Sequence, residues 1–287
     1  MDIRPQAVGR ALSCINPQWT LQGSRPLSRR ASLLSVGSEE GLKQLVLLSH
    51  SEADRASNPD IAGGEFRLLE SLHRTGLPVA RPLALVEDHE PSFLITSFLG
   101  GAPRFAAEDL SKFCWGLAST LSAIHAVDSQ LSFLPRLADV LAADLEGSGR
   151  GDARIRATIR AARDDIHRNP AVLLHGDFWP GNLLWEGDQL TGIVDWEDAM
   201  LGDPLADLGK SRLEMLWALG REALELYTAH YLSLNNTLET SALPYWDLWG
   251  AARLSHFATF AADAEAATRM LGQYDGFVEA ALDALQK

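Results

Sequence analysis

Two carboxylates and an amide carry the chemistry that this sequence could do. In "LLHGDFWPGNLLW", residues 173–185, Asp177 and Asn182 stand between two apolar runs. Asp195 closes the next apolar stretch, in "LTGIVDW". The Gly187–Asp188 pair between these stretches reads as a hairpin turn over 182–196, and a strand, turn and strand would return Asp195 towards Asn182. Taken singly, Asp177 reads as a turn cap and "PGN" as a common turn tripeptide. Together the three suit a hard divalent cation such as Mg²⁺, which takes oxygen ligands from one or two carboxylates and from substrate phosphates. Asn182 and Asp195 fit the ligand role. Asp177 is then left to accept a proton from a substrate hydroxyl.

The elements that must position these residues fall into two halves. Residues 19–100 look strand-rich, with "ASLLSV" and "KQLVLLSH" forming a hairpin around the Gly-bounded "GSEEG". A helix follows in "GGEFRLLESLHRTG", where Phe66, Leu69 and Leu72 recur at helical spacing and Gly76 supplies the stop. "RPLALVED" and "SFLITSFLGG" then read as two further strands. This order predicts an antiparallel sheet with one helix packed on it. From about residue 106 the pattern becomes helical: Leu110, Phe113, Leu117, Leu121 and Ile124 can share one face, residues 152–168 form a second helix, and the chain beyond 205 is rich in Ala and Leu. The exception is the hairpin at 182–196. "LGG" at 99–101 is the expected hinge, giving domains 1–98 and 99–287.

The spacing His175-x-Asp177-x-x-x-x-Asn182 matches a protein-kinase catalytic loop, with Gly176 where those enzymes carry Arg. "HGDFWPGNLLW", "IVDWEDA" and "LGDPLADLG", in this order, resemble the aminoglycoside phosphotransferase and choline kinase family. That resemblance implies an α+β, two-lobed, protein-kinase-like fold, with a small antiparallel-sheet N-lobe for the nucleotide and a larger, mostly helical C-lobe for the substrate. It implies a Mg²⁺-dependent kinase that moves the γ-phosphoryl group of ATP or GTP to a small-molecule hydroxyl. Asp177 would be the base or hydroxyl-positioning group, while Asn182 and Asp195 would hold Mg²⁺. His175 and Asp207 would support the loop. Glu65 corresponds to the helix glutamate that pairs with a strand lysine, and Ser97 and Leu99 to the hinge that receives the adenine.

The first half departs from the family at two places. Leu48 stands where the strand lysine is expected, with Lys43 and His50 out of register on either side. The phosphate loop is usually Gly- or Ser-rich. Here "QGSRPLSRRASLL" offers Gly23, Ser24 and Ser28, with Arg25, Arg29 and Arg30. Either one of these arginines replaces the lysine as a planar phosphate clamp, or the protein is a pseudokinase-like regulatory or binding protein. Arg25 and Ser28 are the residues assigned to phosphate contact. A metal-dependent hydrolase is a third class, disfavoured because no His-rich ligand set accompanies the carboxylates.

A formal net charge of −13 argues against a nucleic-acid binder, which needs a basic footprint, and is compatible with a cationic acceptor. Glu197, Asp198 and Glu214 could attract an amine. Tyr245 and Trp249, four apart on a helix, could face a quaternary ammonium, although such pairs more often pack helices. No membrane span and no apolar leader at "MDIRPQAVGR" are read, and the distant Cys14 and Cys114 are read as buried, reduced thiols. A cytoplasmic protein is the expectation.

Overall fold

The computed structural model describes residues 5–87, 91–128, 130–146, 153–256 and 261–286. In chain order the elements begin with α1 (Pro5–Ile15), β1 (Thr20–Pro26), β2 (Ala31–Ser38), β3 (Gly41–Ser49), α2 (Glu52–Ser57) and α3 (Ile61–His73). β4 (Pro82–Val86), β5 (Phe93–Ser97), α4 (Leu110–His125), α5 (Leu137–Glu146), α6 (Ala153–Ala162) and β6 (Val172–Leu174) follow. The remainder is β7 (Leu183–Glu186), β8 (Gln189–Ile193), β9 (Met200–Gly202), α7 (Pro204–Leu219), α8 (Arg221–Leu234), α9 (Leu243–Leu254) and α10 (Ala264–Leu285). The chain divides into two compact units, Met1–Ala102 with Leu184–Glu197, and Pro103–Leu183 with Asp198–Lys287.

The first unit is built on an antiparallel sheet in the order β1-β2-β3-β5-β4. The β2–β3 hairpin pairs in register from Ala31 opposite Leu48 to Ser38 opposite Gly41, so the turn lies where "GSEEG" predicted it. The sheet has one strand more than the sequence pattern announced. β1 is an edge strand, "TLQGSRP", almost wholly exposed, so no burial imposes an apolar alternation on it. A helix that the pattern also missed, α1, inserts Ala7, Val8, Ala11 and Leu12 into a cluster with Leu34, Val36, Leu45, Leu47, Phe93 and Ile95. Those four residues follow the i, i+1, i+4, i+5 spacing of a one-sided helix. Burying Val8 and Leu12 contributes roughly 1.5–3 kcal/mol each. On α3, Leu69 and Leu72 of the expected face are buried and Phe66 is half-buried, while Leu68 is buried beside them. The β7–β8 hairpin joins this unit through a bridge between Ala102 and Trp185 and one between Val79 and Ile193.

The second unit is helical apart from the short β6–β9 ladder, which pairs Val172 with Gly202 and Leu174 with Met200. On α4, Phe113, Leu117, Leu121 and Ile124 are buried as their spacing requires. The second predicted helix, 152–168, ends at Ala162 and gives way to turns. α7 begins at the capping Asp203, whose side chain accepts the Leu205 N–H with Pro204 in the first turn. That start is rigid by construction, since proline fixes φ and lacks only an N–H that would have gone unpaired. Gly209 faces the backbone of Trp246 and Gly250 faces that of Lys210, where a side-chain carbon would collide. These two glycines let α7 and α9 run at close quarters.

Candidate active site

The loop that joins β6 to β7 carries Asp177 and Asn182 and closes with a 3-10 turn over Pro180–Asn182. Asp207, in the first turn of α7, pins its start. Asp207 accepts the His175 N–H at 2.7 Å and the Gly176 N–H at 2.9 Å, and His125 Nε2 lies 3.3 Å from the same carboxylate. Burial works against this charge, but the hydrogen bonds and the neighbouring imidazoles of His125 and His175 hold the carboxyl below its ordinary range. His175 is fully buried, and its Nδ1 lies 3.3 Å from the Asp177 N–H. Gly176 has φ +80° and lies against the Asp198 carbonyl, so the arginine of protein kinases could not be placed there without moving the backbone.

Both oxygens of Asp177 are engaged. Asn182 Nδ2 donates to Oδ2 at 2.8 Å and also to the Asp177 carbonyl at 2.8 Å. Lys210 Nζ, from the second turn of α7, forms an ion pair with Oδ1. The ammonium has a second carboxylate, Glu214 Oε1, at 3.4 Å one turn further on. Burial would raise the Asp177 pKa; the charge of Lys210, with His175 and Asn182, lowers it instead. Lys210 was not singled out from the sequence. A signal for it exists: Asp207, Lys210, Ser211 and Glu214 recur at helical spacing among the apolar residues of α7, and all four are buried.

The first unit holds a second polar cluster, centred on Arg30 beside β2. Its guanidinium pairs with both oxygens of Glu65, the NH1 contact measuring 3.2 Å. Nε lies 3.0 Å from Asp195 Oδ1 and NH1 lies 3.0 Å from Glu197 Oε2. His50, also buried, lies 3.1 Å from Glu65 and 3.5 Å from Glu197. Burial opposes the imidazolium, yet hydrogen bonds to Glu197 and Glu65 raise its pKa. Glu65 responds in the opposite sense: burial would raise it, and Arg30 and His50 bring it down. The register explains how a strand lacking its lysine keeps the pair. Leu48 of β3 lies opposite Ala31 of β2, and the Ser49 N–H donates to the Arg30 carbonyl at 3.0 Å. The adjacent strand therefore supplies the cation from the residue next to Leu48's own partner.

The structure brings Asp177, Asn182, His175 and Asp207 into one cluster and Glu65 and Asp195 into the other. Arg25, assigned to phosphate contact, is exposed on β1 opposite Leu33, while Arg30 is the arginine that meets Glu65. Ser28 Oγ accepts the Arg30 and Ala31 N–H groups at 3.3 and 3.1 Å, so it shapes the turn that presents Arg30. Ser97 Oγ accepts the Arg81 N–H at 2.9 Å, and Leu99 packs by Gly192 of β8. Glu197, Asp198 and Glu214 each lie near a basic side chain, Arg30, Arg253 (3.8 Å) and Lys210 respectively. Tyr245 and Trp249 are buried in helix packing. Cys114 is buried as expected, whereas Cys14 is exposed. Among the described residues no helix is long and apolar enough to cross a membrane.

Asn182 and Asp195 each offer an oxygen donor of the kind Mg²⁺ takes. Asn182 commits its amide nitrogen to Asp177, which leaves the amide oxygen as the atom that could face a cation. Asp195 has φ +69°, the left-handed region, and is the one non-glycine residue with positive φ among the described residues. A carboxylate held in a costly backbone conformation is a mark of functional sites. Among the described residues no group of three or more His, Cys, Asp or Glu is arranged around a metal position. An ion that keeps its waters and takes phosphate oxygens needs no such group.

Residues 39–245 match the model of the phosphotransferase enzyme family. The protein named probable acyl-CoA dehydrogenase IBR3 of Arabidopsis thaliana is 25% identical over 212 residues, which take in 62% of this chain and 26% of that one. The chain thus spans about a quarter of the length of that relative. A crystal structure of aminoglycoside-3'-phosphotransferase of type VIII superposes with a TM-score of 0.63 at 21% identity, covering 85% of this chain and 96% of the other. A thermostable mutant of aminoglycoside phosphotransferase APH(4)-Ia, in ternary complex with AMP-PNP and hygromycin B, gives 0.63 at 17% identity, covering 95% and 98%. This chain belongs to the phosphotransferase enzyme family and has the protein-kinase-like fold of the aminoglycoside phosphotransferases.

Proposed function

We propose that the protein transfers the γ-phosphoryl group of ATP to a hydroxyl of a small molecule, with Asp177 accepting the hydroxyl's hydrogen bond and Asn182 and Asp195 as the protein ligands of Mg²⁺. The observation that carries this reading is the Asp177 carboxylate, kept ionised and fastened at both oxygens on a loop pinned by Asp207. An ionised carboxylate so held can orient a hydroxyl for in-line attack and take its proton as the bond to phosphorus forms. When bound, Mg²⁺ neutralises charge on the phosphates. The AMP-PNP and hygromycin B complex of a protein with this fold supports a nucleotide donor and a small hydroxyl-bearing acceptor.

The pairing of Arg30 with Glu65 and Asp195 supports activity over a purely regulatory role, because it restores the cation that Leu48 cannot supply. The basic neighbours of Glu197, Asp198 and Glu214 weaken the charge argument for an amine acceptor. Neutral and anionic hydroxyl compounds therefore belong in the search beside amino sugars and amino alcohols.

The test is a coupled screen of nucleotide consumption across those classes, with Asp177→Ala measured in parallel. The variant should keep its fold by circular dichroism and lose at least about a hundredfold in turnover, the lower range for a general base. Undiminished turnover would remove Asp177 from the mechanism. A thermal-shift scan with ATP and GTP, with and without Mg²⁺, should show a raised midpoint only with a nucleotide that binds the native state. No shift with either nucleotide would favour the regulatory reading.

A further inference from the structure

The Asp177 carboxylate has two tethers, and only one of them, Asn182, lies on its own loop. The other, Lys210, comes from α7, where the close approach of Gly250 and the brace at Asp207 leave little freedom to the backbone. We propose that Lys210 is a positioning residue for phosphoryl transfer: its ammonium holds Asp177 Oδ1 while Asn182 holds Oδ2, so the carboxylate cannot rotate about its Cβ–Cγ bond and meets the acceptor hydroxyl in one orientation. The inference rests on the proposed role of Asp177.

Three features support it. Lys210 is buried, with 5% of its side chain exposed, whereas Asp177 keeps 27% exposed, an open edge at which a hydroxyl can arrive. A buried ammonium without carboxylate partners would shed its proton; here burial opposes the charge, and Glu214 and Asp177 overcome that opposition. Glu214 itself is pushed up to about 8 by burial, against the pull of the Lys210 charge. Glu214 Oε1 lies 3.4 Å from the ammonium one turn on along α7, and that contact serves to aim the ammonium at Asp177. A surface ion pair would do none of this, since two flexible, solvated side chains fix no geometry.

The experiment compares Lys210→Met, Lys210→Arg and the double variant Lys210→Met with Glu214→Leu. The double change removes the ammonium and its other carboxylate together, so it folds even where the single change leaves Glu214 stranded. Turnover of ATP is measured with the acceptor returned by the screen, and with water as acceptor. Lys210→Met and the double variant should lose about a hundredfold in kcat, as a mispositioned group does. KM for ATP and for the acceptor should stay within about threefold, and Lys210→Arg should recover to within about tenfold of the parent protein. A crystal structure of the double variant should show the Asp177 carboxylate rotated or in two orientations.

Retention of kcat within about threefold in either Met variant would overturn the proposal. So would a single, unchanged Asp177 orientation in the double variant, a result that needs no acceptor. Asp177→Ala run beside these variants separates the two readings. If it retains turnover, the role of Asp177 fails; if it loses turnover while the Lys210 variants do not, only the positioning role fails.

Discussion

Replacing Arg30 with Met should cost the first unit about 3–5 kcal/mol of stability, the range for breaking a buried ion pair from one side. The guanidinium faces three carboxylates, but they do not count equally. Glu65 has 2% of its side chain exposed, so losing its countercharge leaves an anion with little recourse to water. Asp195 and Glu197 keep 35% and 23% exposed, and solvent screening limits each to under about 1 kcal/mol. His50, at 3.1 Å from Glu65, remains as a partial substitute and draws the figure towards the lower end. Adding Glu65→Gln to the Met variant removes the stranded charge and should recover at least about 2 kcal/mol. The assay is equilibrium urea denaturation at pH 7 of the parent, both single variants and the double. Unchanged slopes would attribute any change in midpoint to stability. A loss below about 1 kcal/mol for the Met variant, or no recovery in the double, would refute the view that this cluster is an electrostatic unit.

Other perturbations probe the rest of the site. Asp207→Ala strips acceptors from two loop N–H groups and from His125, and should destabilise the second unit by about 3 kcal/mol or more on a urea curve. Gly176→Ala forces a side chain into the left-handed region and against the Asp198 carbonyl; a melting midpoint unchanged from the parent would contradict that packing, since about 1–3 kcal/mol of strain is expected. Glu214 makes stability fall with pH. Its carboxyl sits at about 8 when folded and near 4.5 as a free side chain, so between those values the native state holds the extra proton. Its contribution is full below about 4.5 and is lost as pH rises through 8, at no more than about 1.4 kcal/mol per pH unit. Glu214→Gln should flatten that part of a stability-versus-pH profile, and an unaltered slope would show that Glu214 ionises normally.

The sequence announced the parts of this protein whose positions are dictated locally. The β2–β3 hairpin, α3, α4 and the β7–β8 turn all follow from periodicity and turn residues, and the loop of His175, Asp177 and Asn182 from its spacing. What escaped was decided by neighbours in space. β1 has no buried face to impose a pattern. Arg30 was one of three nearby arginines, and only the register of β2 on β3 distinguishes it from Arg25. His50 and Lys210 are ordinary basic residues until folding places Glu65 and Glu197, 15 and 147 positions away, beside the first and Asp177, 33 positions away, beside the second; their roles reside in the pairings and are invisible to composition. Lys210 was nonetheless half legible, because a polar residue three positions after Asp207 on a buried helix demands a partner.

The backbone of Asp195 has an evolutionary consequence. An aspartate at φ +69° costs energy that glycine would not, so among variants ranked by heat resistance alone a glycine there carries an advantage. The same change deletes a carboxylate that Arg30 holds at 3.0 Å and that the proposed chemistry requires. Selection for durability and selection for turnover therefore pull in opposite directions at this one position. A laboratory lineage hardened without an activity screen would drift towards a sturdy, silent descendant through a single codon.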